Sequence, residues 1–254
     1  MIGLVFPGQG TVSKDILAPY AHNSTFNERY ALVCEAIGHD PIEHASTYGA
    51  DTLHRNKTSS LLAVLASVMA LDDLRPSIKW PPHAFAGYSV GQWTALFAAR
   101  AIDFPTLVTL VSKRAALMDH SQTSVTGQML AVIGVGLEAV ESVCAEIRGS
   151  GKYIAVSNYN ASGQYTLAGE VDAVDLAEIK LADRAPKKIE RLSMSGAWHC
   201  AMLADIAGTF REYLNSFTFD RPVAPVFDNV TGLEIADKAD ALRDTLTQHL
   251  TSPV

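Results

Sequence analysis

The sequence predicts an α/β fold in two parts, an α/β-hydrolase-like large domain with a parallel sheet and a ferredoxin-like small domain inserted into it. Three observations carry that expectation. Short apolar runs at 2–6 and 83–86 alternate with helical segments, the grammar of a parallel sheet covered by helices. Further along, residues 123–193 read as β-α-β-β-α-β, the ferredoxin-like order. The strand-and-helix character of the first part then resumes after 194, so the smaller set of elements is an insertion. The expected domains are therefore 1–122 with 194–254, and 123–193. One continuous α/β domain with an antiparallel edge is the alternative.

Each element has a local reason. The run at 2–6 ends at Pro7-Gly8, which closes a buried strand into a tight loop. Helical periodicity follows at 27–37 and at 59–71, the second apolar on nearly every face and so expected at the centre of the fold. The strand at 83–86 meets Gly87, and 90–100 reads as the helix after a sharp turn. Asp103 looks like the N-cap of a helix running to Met118. The polar stretch Ser121-Gln-Thr-Ser-Val-Thr-Gly127 reads as a linker. In the insert, strands are expected at 129–135, 153–158, 164–168 and 188–192, with helices at 137–148 and 171–182. A helix at 201–215, a strand at 225–227 and a helix at 238–249 return to the large domain.

Composition narrows the function. The chain has 254 residues, 48% hydrophobic and 19% charged, which is enough apolar side chain for a packed core. Its 27 acidic and 20 basic residues give a net charge of -7, which disfavours nonspecific nucleic-acid binding. A small anionic substrate responds to the local field and stays open. Cys34, Cys144 and Cys200 form no CxxC pair, so neither a disulfide framework nor a zinc site is expected, and a reducing cytoplasm fits. No run is long and apolar enough to suggest a membrane span, and the start carries no signal-peptide pattern.

The chemistry concentrates at Gly87-Tyr88-Ser89-Val90-Gly91, a GxSxG motif between an expected strand and an expected helix. Glycines permit a sharp turn there, which presents Ser89 at a helix start where the Val90 N–H and the helix dipole favour developing negative charge. A serine nucleophile needs a base. Most of the eight histidines sit in polar contexts, whereas His199 lies beside Trp198 where the large domain resumes. On its own such a histidine reads equally as a packed or capping residue.

Together these residues resemble a family. Phe6-Pro-Gly-Gln-Gly10, Gly87-Tyr-Ser-Val-Gly91, the arginine in Lys113-Arg-Ala-Ala-Leu-Met118, Asn158-Tyr-Asn160 with Gly163-Gln164, and Trp198-His199-Cys200 follow the order seen in malonyl-CoA:acyl carrier protein transacylases. That family includes the acyltransferases of fatty-acid and polyketide synthases, and the resemblance covers essentially the whole chain. It implies an acyltransferase that moves malonyl from CoA to a carrier-protein thiol through a Ser89 acyl ester, with His199 as base. The oxyanion hole would be the N–H groups of Gln9 and Val90. Arg114 would grip the substrate carboxylate, a task that suits a planar guanidinium. Met118, Trp198 and Asn160 would border the acyl group, although core packing serves Met118 as well. Bulky Trp198 and aliphatic Val90, together with Arg114, would favour malonyl over methylmalonyl.

The implied partners are a CoA thioester, a holo acyl carrier protein and other fatty-acid or polyketide synthase components, with malonyl-CoA as substrate, no permanently bound cofactor, no metal, no nucleic acid and no membrane. An acidic carrier needs a basic patch, and the cluster of Lys180, Arg184, Lys187, Lys188 and Arg191 is the candidate contact for carrier or CoA phosphates. The sequence departs from the family at Tyr88, at Thr11-Val-Ser-Lys14, and at Ser59-Ser60 in place of a Thr-Gln pair. It also stops at Ser252-Pro-Val254, before the segment expected to provide a backbone carbonyl that orients the histidine and a Gly-Pro-Gly turn. A carbonyl near Asp228-Asn229 or the side chain of Asn160 is the expected substitute. Two other functions stay open: an acyl-thioester hydrolase clearing carrier proteins, which would have no use for Arg114, and a subunit of a larger assembly that needs a partner for activity.

Overall fold

The structure, a computed structural model, describes residues 2–79, 81–122, 126–193, 196–235 and 238–254, with only the backbone described at Thr11. In chain order the elements are β1 (Gly3–Phe6), α1 (Phe26–Ile37), α2 (Pro41–Tyr48), α3 (Asn56–Leu74), β2 (Ala84–Gly87), α4 (Gly91–Ala98) and α5 (Phe104–Ser121). Then follow β3 (Gly127–Ile133), α6 (Leu137–Gly149), β4 (Ile154–Ala161), β5 (Gln164–Glu170), α7 (Val171–Ala182) and β6 (Lys188–Arg191). The last are α8 (Ala204–Leu214), β7 (Val226–Phe227) and α9 (Ala239–Thr251). Short 3₁₀ turns lie between several of them, one at Ala201–Leu203 where a continuous helix was expected.

Two compact units emerge, 1–116 with 210–245 and 117–209 with 246–254. In the first, β1, β2 and β7 form a parallel sheet with β2 in the middle, and Phe6 is in register with Gly87. That register brings the ends of β1 and β2 side by side, where their loops carry FPGQG and GYSVG. Helix α3 is buried on almost every face from Thr58 to Met69, as its all-round apolar sequence predicts. Asp103 caps α5, its carboxylate accepting the Thr106 N–H at 2.9 Å. Helix α2 was not expected, yet its start is well signalled. Asp40 accepts the N–H groups of Ile42 and Glu43, both at 2.9 Å, and Pro41 occupies the first turn.

The second unit holds the β-α-β-β-α-β motif. Its antiparallel sheet has the order β4-β5-β3-β6, and α6 and α7 pack against one core built on Leu130, Val132, Cys144, Ile154, Leu167 and Leu181. This is the ferredoxin-like arrangement expected for the insert. The unit is larger than the expected 123–193, because 117–122, 194–209 and 246–254 group with it and not with the parallel sheet. Backbone pairing explains the difference. Tyr159 N donates to Val254 O at 2.8 Å and Val254 N to Ser157 O at 2.9 Å, so the last residues extend the edge at β4. A side chain adds to this, the Tyr153 hydroxyl accepting the Ala201 N–H at 2.9 Å. All three cysteines are free thiols. Among the described residues no helix is long and apolar enough to cross a membrane, and no cluster of His, Cys, Asp or Glu could hold a metal ion.

Candidate active site

The first unit carries a strained serine turn. Ser89 has φ 52°, a left-handed backbone that costs an L residue roughly 1–2 kcal/mol. The flanking glycines are dictated by space. A Cβ on Gly87 would lie 2.0 Å from the Gly91 carbonyl carbon, and one on Gly91 would lie 2.4 Å from Phe6 O. Only backbone stripped of side chains lets β2 turn this tightly into α4 and pass under the β1 loop. Val90 is the N-cap of α4, so its N–H has no acceptor within the helix.

Gln9, in the loop after β1, is fixed by its side chain. Ser60 Oγ donates to Gln9 Oε1 at 2.5 Å, and Gln9 Nε2 donates to Asn56 Oδ1 at 3.1 Å. Asn56 Nδ2 in turn donates to Ala115 O at 3.2 Å. Buried Asn56 and Ser60 on α3 thus tie the Gln9 loop to the segment of α5 next to Arg114. Ser60, one of the departures from the family pattern, therefore positions the loop that carries Gln9.

Arg114 is 2% exposed, makes no ion pair among the described residues, and its Nη2 has no hydrogen-bond partner there. Burial pushes its guanidinium down to about 10, which still leaves it charged near neutrality. A buried cation with an unsatisfied donor is costly unless something anionic arrives.

The second unit carries the histidine. His199 is 3% exposed with φ 58°, another left-handed non-glycine residue. Its Nδ1 lies 2.8 Å from His249 O on α9, and the two imidazoles stack at 4.9 Å. A carbonyl can only accept, so Nδ1 carries the proton and the lone pair is left on Nε2, the tautomer of a general base. This corrects the expectation about the chain's end. The orienting carbonyl lies within the sequence, at His249, and neither the Asp228-Asn229 segment nor Asn160 is needed as a substitute. Cys200, next to His199, is no rival nucleophile, since burial pushes its thiol up to about 11.

The remaining expected residues behave differently. Met118 and Trp198 are both buried, and the Trp198 ring lies where a Cβ on Gly196 would meet it at 2.5 Å, so packing governs its pose. Asn160 is exposed near the β4–β5 turn, and Asn158, one pleat earlier, is the buried asparagine, accepting from Ser157 Oγ at 2.7 Å. The basic cluster is largely neutralised within its own unit. Arg191 pairs with Asp175 and Glu178, Lys188 with Glu190, and Lys180 with Glu146. Lys187 and Arg184 make no ion pair among the described residues.

The bracing role of two residues escaped the sequence reading. Asn229 and buried Gln92 brace the serine turn, with the Ser89 N–H donating to Asn229 Oδ1 at 2.7 Å and the Asn229 N–H donating to Gln92 Oε1 at 2.8 Å. Gln92 stands one residue after the GxSxG motif, which is the only local hint.

No protein-family model matches the chain. It is 30% identical over 251 residues to the malonyl CoA-acyl carrier protein transacylase of Escherichia coli, covering 98% of this chain and 81% of that protein. Among solved structures, a malonyl-transacylase in complex with a type II polyketide synthase acyl-carrier protein superposes with a TM-score of 0.90 at 28% identity, covering 100% of this chain and 82% of the other. The malonyl-CoA:acyl carrier protein transacylase of Xanthomonas oryzae pv. oryzae gives a TM-score of 0.90 at 30% identity, with 100% and 80% covered.

Proposed function

The chain belongs to the malonyl-CoA:acyl carrier protein transacylase family, and from that membership we propose that it transfers malonyl from CoA to the phosphopantetheine thiol of a holo acyl carrier protein through an ester on Ser89. In the first half-reaction Ser89 Oγ attacks the thioester carbonyl while His199 Nε2 takes its proton. The N–H groups of Val90 and Gln9 receive the oxyanion of the tetrahedral intermediate. The C–S bond then breaks, and the proton passes from His199 to the departing CoA sulfur. In the second half-reaction the carrier thiol gives its proton to His199 and attacks the ester. The C–O bond breaks, and Ser89 recovers the proton.

The observation that carries the malonyl reading is Arg114, buried and charged with an unpartnered Nη2. A free carboxylate on the acyl group would satisfy it, whereas a neutral acyl chain would leave it orphaned. That disfavours a hydrolase for uncharged acyl groups. Acyl exchange and proton transfer are within the reach of these side chains, so the reading requires no permanently bound cofactor. Three free thiols, two of them buried, fit a reducing cytoplasm. With the other cations of the basic cluster paired, docking of an acidic carrier there rests on Lys187 and Arg184.

Intact-protein mass spectrometry after brief exposure to malonyl-CoA tests the reading. The expected result is one malonyl adduct, absent in Ser89→Ala and discharged by holo carrier protein. An adduct that persists in Ser89→Ala, or that is lost to water as fast as to carrier, would overturn it.

A further inference from the structure

The acyl-ester mechanism needs Ser89 held in an unfavourable backbone conformation, and one side chain spans the turn that imposes it. Asn229 lies in the loop after β7. Its Oδ1 accepts the Ser89 N–H at 2.7 Å, while its Nδ2 donates to Gly87 O at 2.6 Å. A single planar carboxamide thus satisfies the backbone on both sides of Tyr88, where the strand-to-helix turn is tightest. We infer that Asn229 is the positioning residue of the nucleophile turn, holding Ser89 in its left-handed conformation and taking its N–H out of play so that Val90 supplies the oxyanion donor. The inference rests on the proposed Ser89 ester and adds how that serine is held.

The clamp is itself held. The Asn229 N–H donates to Gln92 Oε1 at 2.8 Å, and Gln92 is fully buried in the first turn of α4. On the other side, buried Asp228 accepts the Val230 N–H at 2.5 Å and also bonds the Thr231 N–H and hydroxyl. Asp228 N donates to Leu233 O at 2.9 Å, closing the loop on itself. The carboxamide therefore arrives preorganised, with both ends of its residue fixed before it meets the serine turn. Only asparagine meets the requirement at this length. Aspartate offers a second acceptor where Gly87 O needs a donor, leucine offers neither group, and glutamine is one methylene too long.

The electrostatic consequence is specific. A Ser89 N–H without an acceptor would compete with Val90 for the oxyanion, and would draw it away from the N–H of Gln9. With Asn229 in place, the serine's own amide is committed. Loss of the clamp should damage bond-making at Ser89 more than binding of malonyl-CoA.

The experiment is rapid-quench mass spectrometry of malonyl-Ser89 formation across malonyl-CoA concentrations, on wild type, Asn229→Ala and Asn229→Asp, with thermal melts of each. The acylation rate constant is expected to fall about 100-fold in Asn229→Ala, with half-saturating malonyl-CoA changed less than about threefold. Asn229→Asp is nearly isosteric and should also acylate slowly. Its rate relative to Asn229→Ala should rise as pH is lowered, because a protonated carboxyl regains a donor for Gly87 O while any pH effect common to both variants cancels in the ratio. Acylation within about threefold of wild type in both variants overturns the inference, as does a flat ratio between them or loss of fold in both, which would make Asn229 a folding residue only. Absence of a malonyl ester on wild-type Ser89 instead sinks the acyl-enzyme reading, so the two failures are told apart.

Discussion

The serine and the histidine are held by opposite means. Ser89 is held by residue identity: two glycines where a Cβ would strike backbone at 2.0 and 2.4 Å, and the Asn229 carboxamide across the turn. His199 is shaped by what is added from afar, a main-chain carbonyl 50 residues away on α9. Both residues take positive φ, at 52° and 58°. The strain is therefore common to the two, and only the device that maintains it differs. Steric exclusion needs particular residue types and leaves a motif. A backbone acceptor needs only that the chain return to the right point, so residue type leaves no trace of it.

That difference governs what could be read from the sequence. GYSVG announces its turn because Gly87 and Gly91 admit no substitute. The β-α-β-β-α-β order was legible from short apolar runs at β3 and β5 set between helical segments, and the burial of five successive residues in β5 matches such a run. His249 was invisible as an orienting group because every residue has a carbonyl. The bracing role of Asn229 was invisible because its bonds to Ser89 and Gly87 span 140 and 142 positions. The extent of the second unit was misjudged for a related reason, as Val254 joins β4 through main-chain bonds alone. Arg114 was legible only through the family pattern. Its lone burial and missing partner are facts of packing that no local sequence feature reports.

The sharpest way to break the comparison is to fill the space that the serine turn keeps empty. Gly91→Ala places a methyl 2.4 Å from Phe6 O, a contact that only backbone movement relieves. It should cost at least about 3 kcal/mol in a denaturant or thermal melt and abolish Ser89 acylation. A stable, active Gly91→Ala protein would mean that the turn is not sterically dictated.

A smaller effect, of opposite sign for stability and function, is expected at Arg114. Burial lowers its pKa to about 10, below its value in the unfolded chain. The unfolded chain therefore binds more protons between those values, so wild-type stability should rise with pH across that window and bear the full penalty below pH 10. Arg114→Met removes the penalty and should stabilise the protein at neutral pH by about 2 kcal/mol, as replacing unsupported buried charge generally does. The same change should lower kcat/KM for malonyl-CoA by roughly 100-fold, since a buried carboxylate loses its counterion. A destabilised Arg114→Met with unimpaired malonyl transfer would show that this arginine serves packing, and the serine's unit would then carry no charge kept for a ligand.

The smallest effect is expected at His249, and it is the most informative about the histidine. If the side chain oriented His199, its removal should resemble loss of the aspartate in a Ser-His-Asp triad, a drop of about 10⁴ in kcat. The acceptor here is the main-chain oxygen, at 2.8 Å from Nδ1, and His249→Ala leaves it in α9. What goes is the imidazole stacked on His199 at 4.9 Å, worth about 1 kcal/mol as ring contact. The expected outcome is a kcat within about tenfold of wild type and a modestly lower melting temperature, measured on the same preparation. A fall of several thousandfold would transfer the orienting role from backbone to side chain. The histidine would then be held by residue identity, just as the serine is.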